Sequence, residues 1–400
     1  MSLKEIFCQD KAINSLQRAY GAGRMAHAYL FSGDDGVGKF TTARAWAKML
    51  LCEDKQTVGD DPTFTDSCGG CHSCQLFDVD GHPDFRPIYK ELVQFTKNGK
   101  NKKTPVDMPI DVIREFLIDK VANRPTQGQF VVYVMDEAEK VNAASQNALL
   151  KILEEPPSYC VIILLCSRLD KMLPTTLSRC QSIRFGQVAE DRIIERLTAE
   201  SIDPAEAVFW ARFSQGSLGR AMAWAQLEIK DTSAYALKTE LIEKIASLQL
   251  ADAVDTAEWM GKTAKKIAAA WISTSDSVSM TDITRRAQKG LVRMVACLFN
   301  DVMRAASDAS AMQVNHDQQG CISALAQKID VETAAGNVEL CYRMHNWVDS
   351  SVNEKLIFEQ LVLNLTTCEI NAYSSEQKRL ASVDQRQLFL LSATIKVSGY

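Results

Sequence analysis

The first part of the chain alternates short apolar runs with segments in which apolar residues recur every three or four positions. Four apolar runs predict buried β-strands, at residues 26–33, 129–139, 160–167 and 181–185. Helical spacing separates them in residues 39–52 and in residues 145–157, where two prolines end the helix. Continuous apolar strands with intervening helices are typical of a parallel sheet covered on both faces, so the expected fold class is α/β.

The pattern changes after residue 186. Apolar residues keep helical spacing from there on, and no further strand is expected. Short helices around the turn SQGSLGRA, which starts at Ser214, predict a small helical region over residues 187–240. Longer helical stretches, such as residues 291–306 and 354–370, predict an all-α region over residues 241–400.

Composition and charge narrow the possible partners. The net charge of -5 predicts no strong attraction of the whole chain to nucleic acid, so such contact needs a local patch or a partner protein. The N-terminal segment lacks a signal-peptide core, and the longest apolar run is too short to span a bilayer. We therefore expect a cytoplasmic protein without membrane contact. The basic stretch at residues 95–105, with lysines from Lys97 to Lys103, is either a solvated loop or a contact to the DNA backbone.

A glycine-rich segment lies between the first predicted strand and the helix that follows. It has the spacing of a phosphate-binding loop, in which backbone N–H groups and the positive end of a helix dipole face an anion. The candidate phosphate ligands are Gly33, Gly36, Gly38 and Lys39. The next position, where a hydroxyl would hold Mg²⁺, is Phe40, which has no oxygen ligand. Thr41 supplies the next hydroxyl, about 100° around the helix, and is a weaker candidate. The loop leaves open whether ATP and Mg²⁺ still bind.

Polar residues follow two of the predicted strands. Asp136 and Glu137 end the strand at residues 129–139, and in phosphoryl-transfer sites one such acid helps to hold Mg²⁺ while the next can activate water. Ser167 ends the following strand, and its hydroxyl could contact a phosphate. Arg179 precedes the last strand in the tripeptide Ser-Arg-Cys. Its planar donors suit a phosphate, although an arginine at such a turn is usually a surface residue.

Four cysteines are spaced as C-x15-C-x2-C-x2-C, at Cys52, Cys68, Cys71 and Cys74. Four thiolates at this spacing suit a tetrahedral zinc ion with no open position, so the metal would stabilise the fold. A redox CxxC site is the rival interpretation, and His72 could replace one ligand. A zinc finger that reads nucleic acid is a third, although the insert lacks a basic recognition helix.

Together these motifs resemble one family. The segments GRMAHAYLFSGDDGVGK, HPDF, VMDEAEKVNAASQNALLKILEEPP and LPTTLSRC, with the four-cysteine insert after the first, look like the bacterial clamp-loader subunits of DNA polymerase III, which are AAA+ proteins. The resemblance implies an AAA+ P-loop domain in residues 1–186 with a zinc module at about residues 52–75. A helical lid in residues 187–240 and a helical oligomerisation collar in residues 241–400 would follow.

Within this family the chain resembles the delta-prime subunit more than the gamma/tau motor. Phe40 replaces the hydroxyl that the motor keeps, and residues 82–114 also resemble delta-prime. In the motor's lid an arginine follows Gly-Ser closely, whereas here Gly219 precedes Arg220, so a nucleotide-sensing role for Arg220 stays open. The resemblance implies that Arg179 is an arginine finger that acts in trans on the ATP site of a neighbouring subunit.

The remaining roles and the partners also come from the resemblance. Ser167 matches a strand-end sensor, and Glu137 matches a catalytic acid that would be vestigial here. The implied partners are the gamma/tau and delta subunits, the sliding clamp and, through the assembled complex, primed DNA. The chain would then be a component of the DNA polymerase III holoenzyme with weak or absent ATPase activity of its own. The alternative is an active gamma/tau-like ATPase, which the intact Glu137 permits; an intermediate case binds nucleotide without turnover.

Overall fold

The structure is a computed structural model of the chain. It describes residues 1–57, 64–99, 105–230, 232–273, 279–307, 312–350 and 353–366. These residues form two compact units. The first comprises residues 1–201 and 214–223, and the second comprises residues 202–213 and the described residues from 224 onward.

A five-stranded parallel sheet is the centre of the first unit. Its strands are β1 (Ala28–Ser32), β2 (Phe85–Ile88), β3 (Val131–Met135), β4 (Cys160–Cys166) and β5 (Gln181–Arg184). They lie in the order β2-β3-β4-β1-β5, and each neighbouring pair is parallel, with Ala28 opposite Ile162 and Val131 opposite Cys160. The four predicted strands are therefore confirmed. The apolar pattern did not indicate β2, because a strand at the edge of a sheet tolerates the arginine and proline of its sequence FRPI.

Both faces of the sheet are covered, as the continuous apolar strands predicted. Alternate residues of one strand enter different cores, so that Phe31 packs with Trp46 on one face and Leu30 packs with Leu149 on the other. Tyr29, Trp46 and Phe31 are completely buried. This arrangement is an α/β, AAA+-like domain, and it places the carboxyl ends of the central strands side by side.

The α-helices of the first unit flank these strands. They are α1 (Asp10–Gly21), α2 (Lys39–Leu51), α3 (His72–Asp78), α4 (Ile110–Ile113), α5 (Ala143–Glu154), α6 (Pro174–Leu177), α7 (Glu190–Ala199) and α9 (Leu218–Ala225), whose last two residues belong to the second unit. A π-helix, Arg114–Ile118, continues α4. Short 3₁₀ helices occur at Leu3–Glu5, Lys90–Phe95, Ala138–Lys140 and Leu169–Lys171. A two-residue antiparallel ribbon pairs Gln56–Thr57 with Thr65–Asp66.

The second unit is helical, as expected. Its helices are α8 (Pro204–Ser214, whose last residue belongs to the first unit), α10 (Ala234–Ala246), α11 (Ala253–Ser273), α12 (Met280–Ser307), α13 (Gln319–Lys328), α14 (Val331–Asp349) and a segment at residues 354–366, with a 3₁₀ turn at Leu250–Asp252. The long helix α12 packs against α11 and α14. Gly290 of α12 lies against the Trp224 ring, where any Cβ would collide, so this close approach requires glycine.

One expectation from the sequence is wrong, and a second, on the lid, stays a prediction. An antiparallel ribbon joins Glu228–Ile229 to Thr232–Ser233, although no strand was expected after residue 186; two-residue strands leave no periodic pattern in a sequence. The expected lid at residues 187–240 is shared between the two compact units. Its status as a separate domain, like the boundaries at 186 and 240, stays a prediction. Within the described residues, no helix has both the length and the apolar character to span a bilayer.

Candidate functional site

Left-handed backbone shapes the glycine loop between β1 and α2. Gly36 has φ 77° and Gly38 has φ 102°, a conformation that glycine adopts without strain. A Cβ at Gly33 would lie 2.6 Å from the carbonyl oxygen of Phe185, and one at Gly36 would collide with Ser217 Oγ. The three glycines are therefore required by the fold of the loop.

The loop carbonyls all have hydrogen-bond donors. Lys39 Nζ donates to the carbonyls of Gly33 and Asp34 at 2.7 and 2.8 Å. Three contacts that the sequence did not indicate hold the others: Ser217 Oγ donates to Asp35 O, the N–H of Gly219 to Gly36 O, and Gln9 Nε2 to Val37 O. Backbone N–H groups from residue 34 to residue 41 have no acceptor within the described chain. Such an arrangement of free donors at a helix start suits an anion.

The first turn of α2 supports nucleotide binding only in part. Lys39 is buried, and this burial lowers the pKa of its ammonium group, which nearby acids counteract. The side chain of Phe40 is 42% exposed, so the position after the lysine contributes an aromatic surface where a hydroxyl would hold Mg²⁺. Thr41 is half-buried, and the neighbouring Thr42 is fully buried and donates its hydroxyl proton to Gly38 O.

Ser167 lies beside Lys39, as its place at the end of β4 suggested. Lys39 Nζ donates to Ser167 Oγ at 3.0 Å, although the two residues are 128 positions apart. The backbone N–H of Ser167 donates to Glu139 Oε2. A shallow cavity of about 380 Å³ opens here, lined by Gly33, Ser167 and Phe185 among others. The parallel sheet thus brings the loop and the strand-end serine together.

Asp136 and Glu137 follow β3 and have different surroundings. Solvent reaches Asp136, but the many protein atoms around its carboxyl group partly desolvate it. This desolvation, together with the negative charges of Glu137 and Asp35, raises the pKa of Asp136 to about 6. Glu137 has left-handed backbone, with φ 49°, and its carboxylate forms ion pairs with Lys90 and Lys140. Both oxygens of the Glu137 carboxylate are therefore already engaged by lysine side chains.

Arg179 makes no hydrogen bond to the loop and instead lies between α6 and the end of α5. Its Nε donates to Glu154 Oε1 at 2.7 Å, and its Nη1 donates to the Thr175 carbonyl at 2.8 Å. About a third of its side chain is exposed. Gln146, which the sequence did not single out, holds this turn from α5: its amide oxygen accepts from the N–H of Leu173.

The four cysteines form one cluster at the opposite end of α2 from the loop. Their Sγ atoms lie within 4.8 Å of one another, so the cluster could hold one metal ion. Cys52 Sγ lies 3.6 Å from Cys68 Sγ and 3.8 Å from Cys71 Sγ. Partial burial opposes ionisation of Cys71, but N–H donors outweigh it and lower the pKa to about 6. The exposed His72 is not part of the cluster.

Residues of the other segments quoted from the sequence have structural or open roles. His82 of the HPDF segment is buried and pairs with Ser73 Oγ at 2.9 Å, while the buried Asp84 accepts from the N–H groups of Thr126 and Gln127. Burial lowers the pKa of His82. Arg220 donates to the Ser214 carbonyl at 3.2 Å. The basic stretch from Lys97 to Lys103 lies mostly outside the described residues.

Two family models and several curated proteins that match the chain describe subunits of DNA polymerase III. The family model described as "DNA polymerase III, delta subunit" matches residues 8–189, and "DNA polymerase III, delta subunit, C terminal" matches residues 266–367. The DNA polymerase III subunit tau/gamma of Haemophilus influenzae is 34% identical over 221 residues, which are 54% of this chain and 29% of that protein. Subunit tau of Escherichia coli is 31% identical over 225 residues, 55% of this chain and 32% of that protein.

The matched segments thus span about a third of the length of these curated relatives. A solved structure of a gamma subunit-related protein from Thermotoga maritima has a TM-score of 0.40 and 14% identity, and covers 90% of this chain and 99% of that chain. A likeness this distant adds nothing to the assignment. The parallel sheet, glycine loop and strand-end acid define an AAA+-like P-loop protein. Over residues 8–189 and 266–367, the chain is similar to subunits of DNA polymerase III.

Proposed function

We propose that the chain is a delta-prime-like subunit of the clamp loader, which helps ATP-driven loading of the sliding clamp onto primed DNA. Its partners are the gamma/tau and delta subunits. It hydrolyses ATP poorly or not at all, and Arg179 acts in trans on the ATP site of a neighbouring gamma/tau subunit. The observation that carries this proposal is Phe40, which offers no oxygen at the Mg²⁺ position, while Arg179 is accessible at a surface turn.

An active gamma/tau-like ATPase is the second candidate. Lys39, Ser167 and the loop glycines converge as a working site requires, and the relatives compared above are named tau or gamma. Two observations count against it. Phe40 removes the metal ligand, and Glu137 is engaged by two lysines. The loop and Lys39 could still hold the phosphates of a nucleotide that is not turned over.

We assign the four-cysteine cluster to structural zinc. A tetrahedral site with Zn–S bonds of about 2.3 Å has S···S edges of about 3.8 Å. The separations of 3.6 and 3.8 Å from Cys52 Sγ are close to that edge. N–H donors from Cys68, Cys71 and Cys74 to sulfur stabilise thiolates, which zinc requires.

The test is Arg179→Ala in the clamp-loader complex reconstituted with the cognate gamma/tau and delta subunits. We expect the variant to assemble and its DNA-stimulated ATP turnover to fall steeply, since an arginine finger contributes on the order of 10³ in rate. Arg196→Ala is the matched control, because Arg196 is an exposed arginine of α7 that also pairs with a glutamate, Glu200. Unchanged turnover with Arg179→Ala would remove the finger role, and robust Mg²⁺-dependent hydrolysis by the isolated chain would favour the second candidate.

A further inference from the structure

We propose that Glu154 is a positioning residue, which orients the Arg179 guanidinium for a phosphate on a neighbouring subunit. The inference rests on the proposed finger role of Arg179. Glu154 is the last residue of α5, and Arg179 follows Ser178, the C-cap of α6, so the ion pair joins the ends of two helices of the first unit. Neither composition nor spacing singled out Glu154.

Glu154 and the turn at the end of α6 hold the guanidinium from two directions. Nε of Arg179 donates to Glu154 Oε1 at 2.7 Å, and Nη2 forms an ion pair with the same oxygen. Nη1 donates to the Thr175 carbonyl at 2.8 Å and, at a long 3.4 Å, to Ser178 Oγ. Because arginine has five N–H donors, these three hydrogen bonds leave the two N–H groups of Nη2 for the ion pair and for an outside acceptor. A phosphate can thus approach Nη2 while the side chain stays fixed.

The position of Glu154 is unfavourable for α5 itself. A carboxylate in the last turn of a helix faces the negative end of the helix dipole. The pair is also too exposed to stabilise the fold strongly, with 47% of the Glu154 side chain and 32% of the Arg179 side chain exposed. Helix stability therefore does not account for a glutamate here, whereas orientation of Arg179 does.

Orientation has a definite kinetic consequence. A long arginine side chain loses rotamer freedom when it contacts a phosphate, and this loss of entropy opposes the contact. If Glu154 already holds the Arg179 side chain in place, less entropy is lost when the phosphate is contacted. Glu154 would therefore act on the turnover rate of the neighbouring site and not on the affinity of that site for ATP.

The experiment compares Glu154→Ala, Glu154→Gln and Glu155→Ala in the reconstituted complex. Glu155 is the matched control, because it is the adjacent exposed glutamate of the same helix end. We expect Glu154→Ala to lower kcat of DNA-stimulated ATP turnover about tenfold with KM for ATP unchanged. Glu154→Gln keeps an oxygen acceptor for Nε and should recover part of the rate. Glu155→Ala should match the parent complex.

A second measurement separates orientation from folding. In the full chain with ¹⁵N-labelled arginine, the Nε–H of Arg179 should exchange more slowly with solvent in the parent than in Glu154→Ala, while the thermal unfolding midpoints agree. If Arg179→Ala lowers turnover but Glu154→Ala does not, the positioning role is wrong and the finger role stands. If Glu154→Ala raises turnover, the glutamate restrains Arg179 and the proposal is overturned. If Arg179→Ala itself has no effect, the proposed function fails first.

Discussion

Lys39 and Phe40 are consecutive residues with opposite surroundings. Lys39 is buried and donates to two loop carbonyls and to Ser167, whereas Phe40 is exposed. The lysine thus links the loop to the end of β4 through its own hydrogen bonds. The lysine and the glycines therefore have a structural role that does not involve the Phe40 side chain, so a loop with Phe40 can keep this shape.

Asp136 should make the stability of the chain depend on pH. Its pKa is raised to about 6 in the folded state, above the ordinary value of about 3.9, so ionisation is disfavoured by folding. Stability should therefore fall as pH rises from about 4 to 6, and Asp136→Asn should not show this loss. Because solvent reaches the carboxyl, we expect the difference at pH 7 to be about 1 kcal/mol or less.

Urea unfolding of the parent and of Asp136→Asn at pH 4 and pH 7 measures this difference. Asp170→Asn, which removes an exposed acid that follows the neighbouring strand, is the control for the loss of a surface carboxylate. A variant that gains no stability relative to the parent between pH 4 and pH 7 would show that Asp136 ionises normally.

Some site residues could be predicted because a short sequence pattern marks them, and others could not because no such pattern does. Glycine spacing and strand ends predicted the loop, Asp136 and Ser167, and the structure brings Lys39 to Ser167. Gln9, Ser217 and Glu154 gave no such signal. Each contacts its partner through the fold, as when Gln9 bridges Val37 and Gly186 across 177 positions, and a single polar residue on a helix or turn does not reveal that partner.

At the scale of elements, α2 connects the two candidate sites. It begins at Lys39 and ends at Leu51, directly before Cys52, so about 20 Å of helix separates the loop from the cysteine cluster. The segment that follows Cys74 also contacts this helix, through ion pairs of Asp80 with Arg44 and of Asp78 with Lys48. Ser73 Oγ also donates to the Leu51 carbonyl at the end of the helix.

Metal removal should therefore loosen the carboxyl end of α2 first. We expect one zinc per chain by elemental analysis. After chelation, hydrogen exchange should accelerate in residues 64–80 and in the last turns of α2, with a lower unfolding midpoint. Cys74→Ser should reproduce the effect, and Cys297→Ser, a buried thiol of α12, should not reproduce it in α2. A chain that purifies without metal, or whose exchange is unaffected by chelation, would contradict the structural role.

The strands were predictable to the extent that burial on both faces leaves a continuous apolar run. β3 and β4 have every residue buried, and each was predicted. The edge strand β2 was not predicted because Arg86 interrupts its apolar run, although Ile88 at its end is buried. In the fold the Arg86 guanidinium donates to Tyr133 Oη. The strands of the two antiparallel ribbons have only two residues each, too few to show an alternation of apolar and polar residues. Only tertiary contacts define them.

At the scale of the whole molecule, the proposed function involves two different nucleotide sites, one in the chain itself and one in a neighbouring subunit. The loop and Lys39 belong to the chain's own nucleotide site, whereas Arg179 would serve a neighbour. The two can be distinguished because Lys39 and Arg179 share no hydrogen bond and no acidic partner in the described residues.

Lys39→Ala and Arg179→Ala should therefore differ in the reconstituted complex. We expect Lys39→Ala to leave DNA-stimulated ATP turnover and clamp loading near the parent level, because the motor subunits keep their own sites. Arg179→Ala should lower both. Lys39 also closes the loop from a buried position, so Lys39→Met, which keeps the aliphatic stem, guards against a folding defect. If Lys39→Met folds and assembles but abolishes most of the turnover, the chain's own site hydrolyses ATP, and the gamma/tau-like alternative replaces the proposed function.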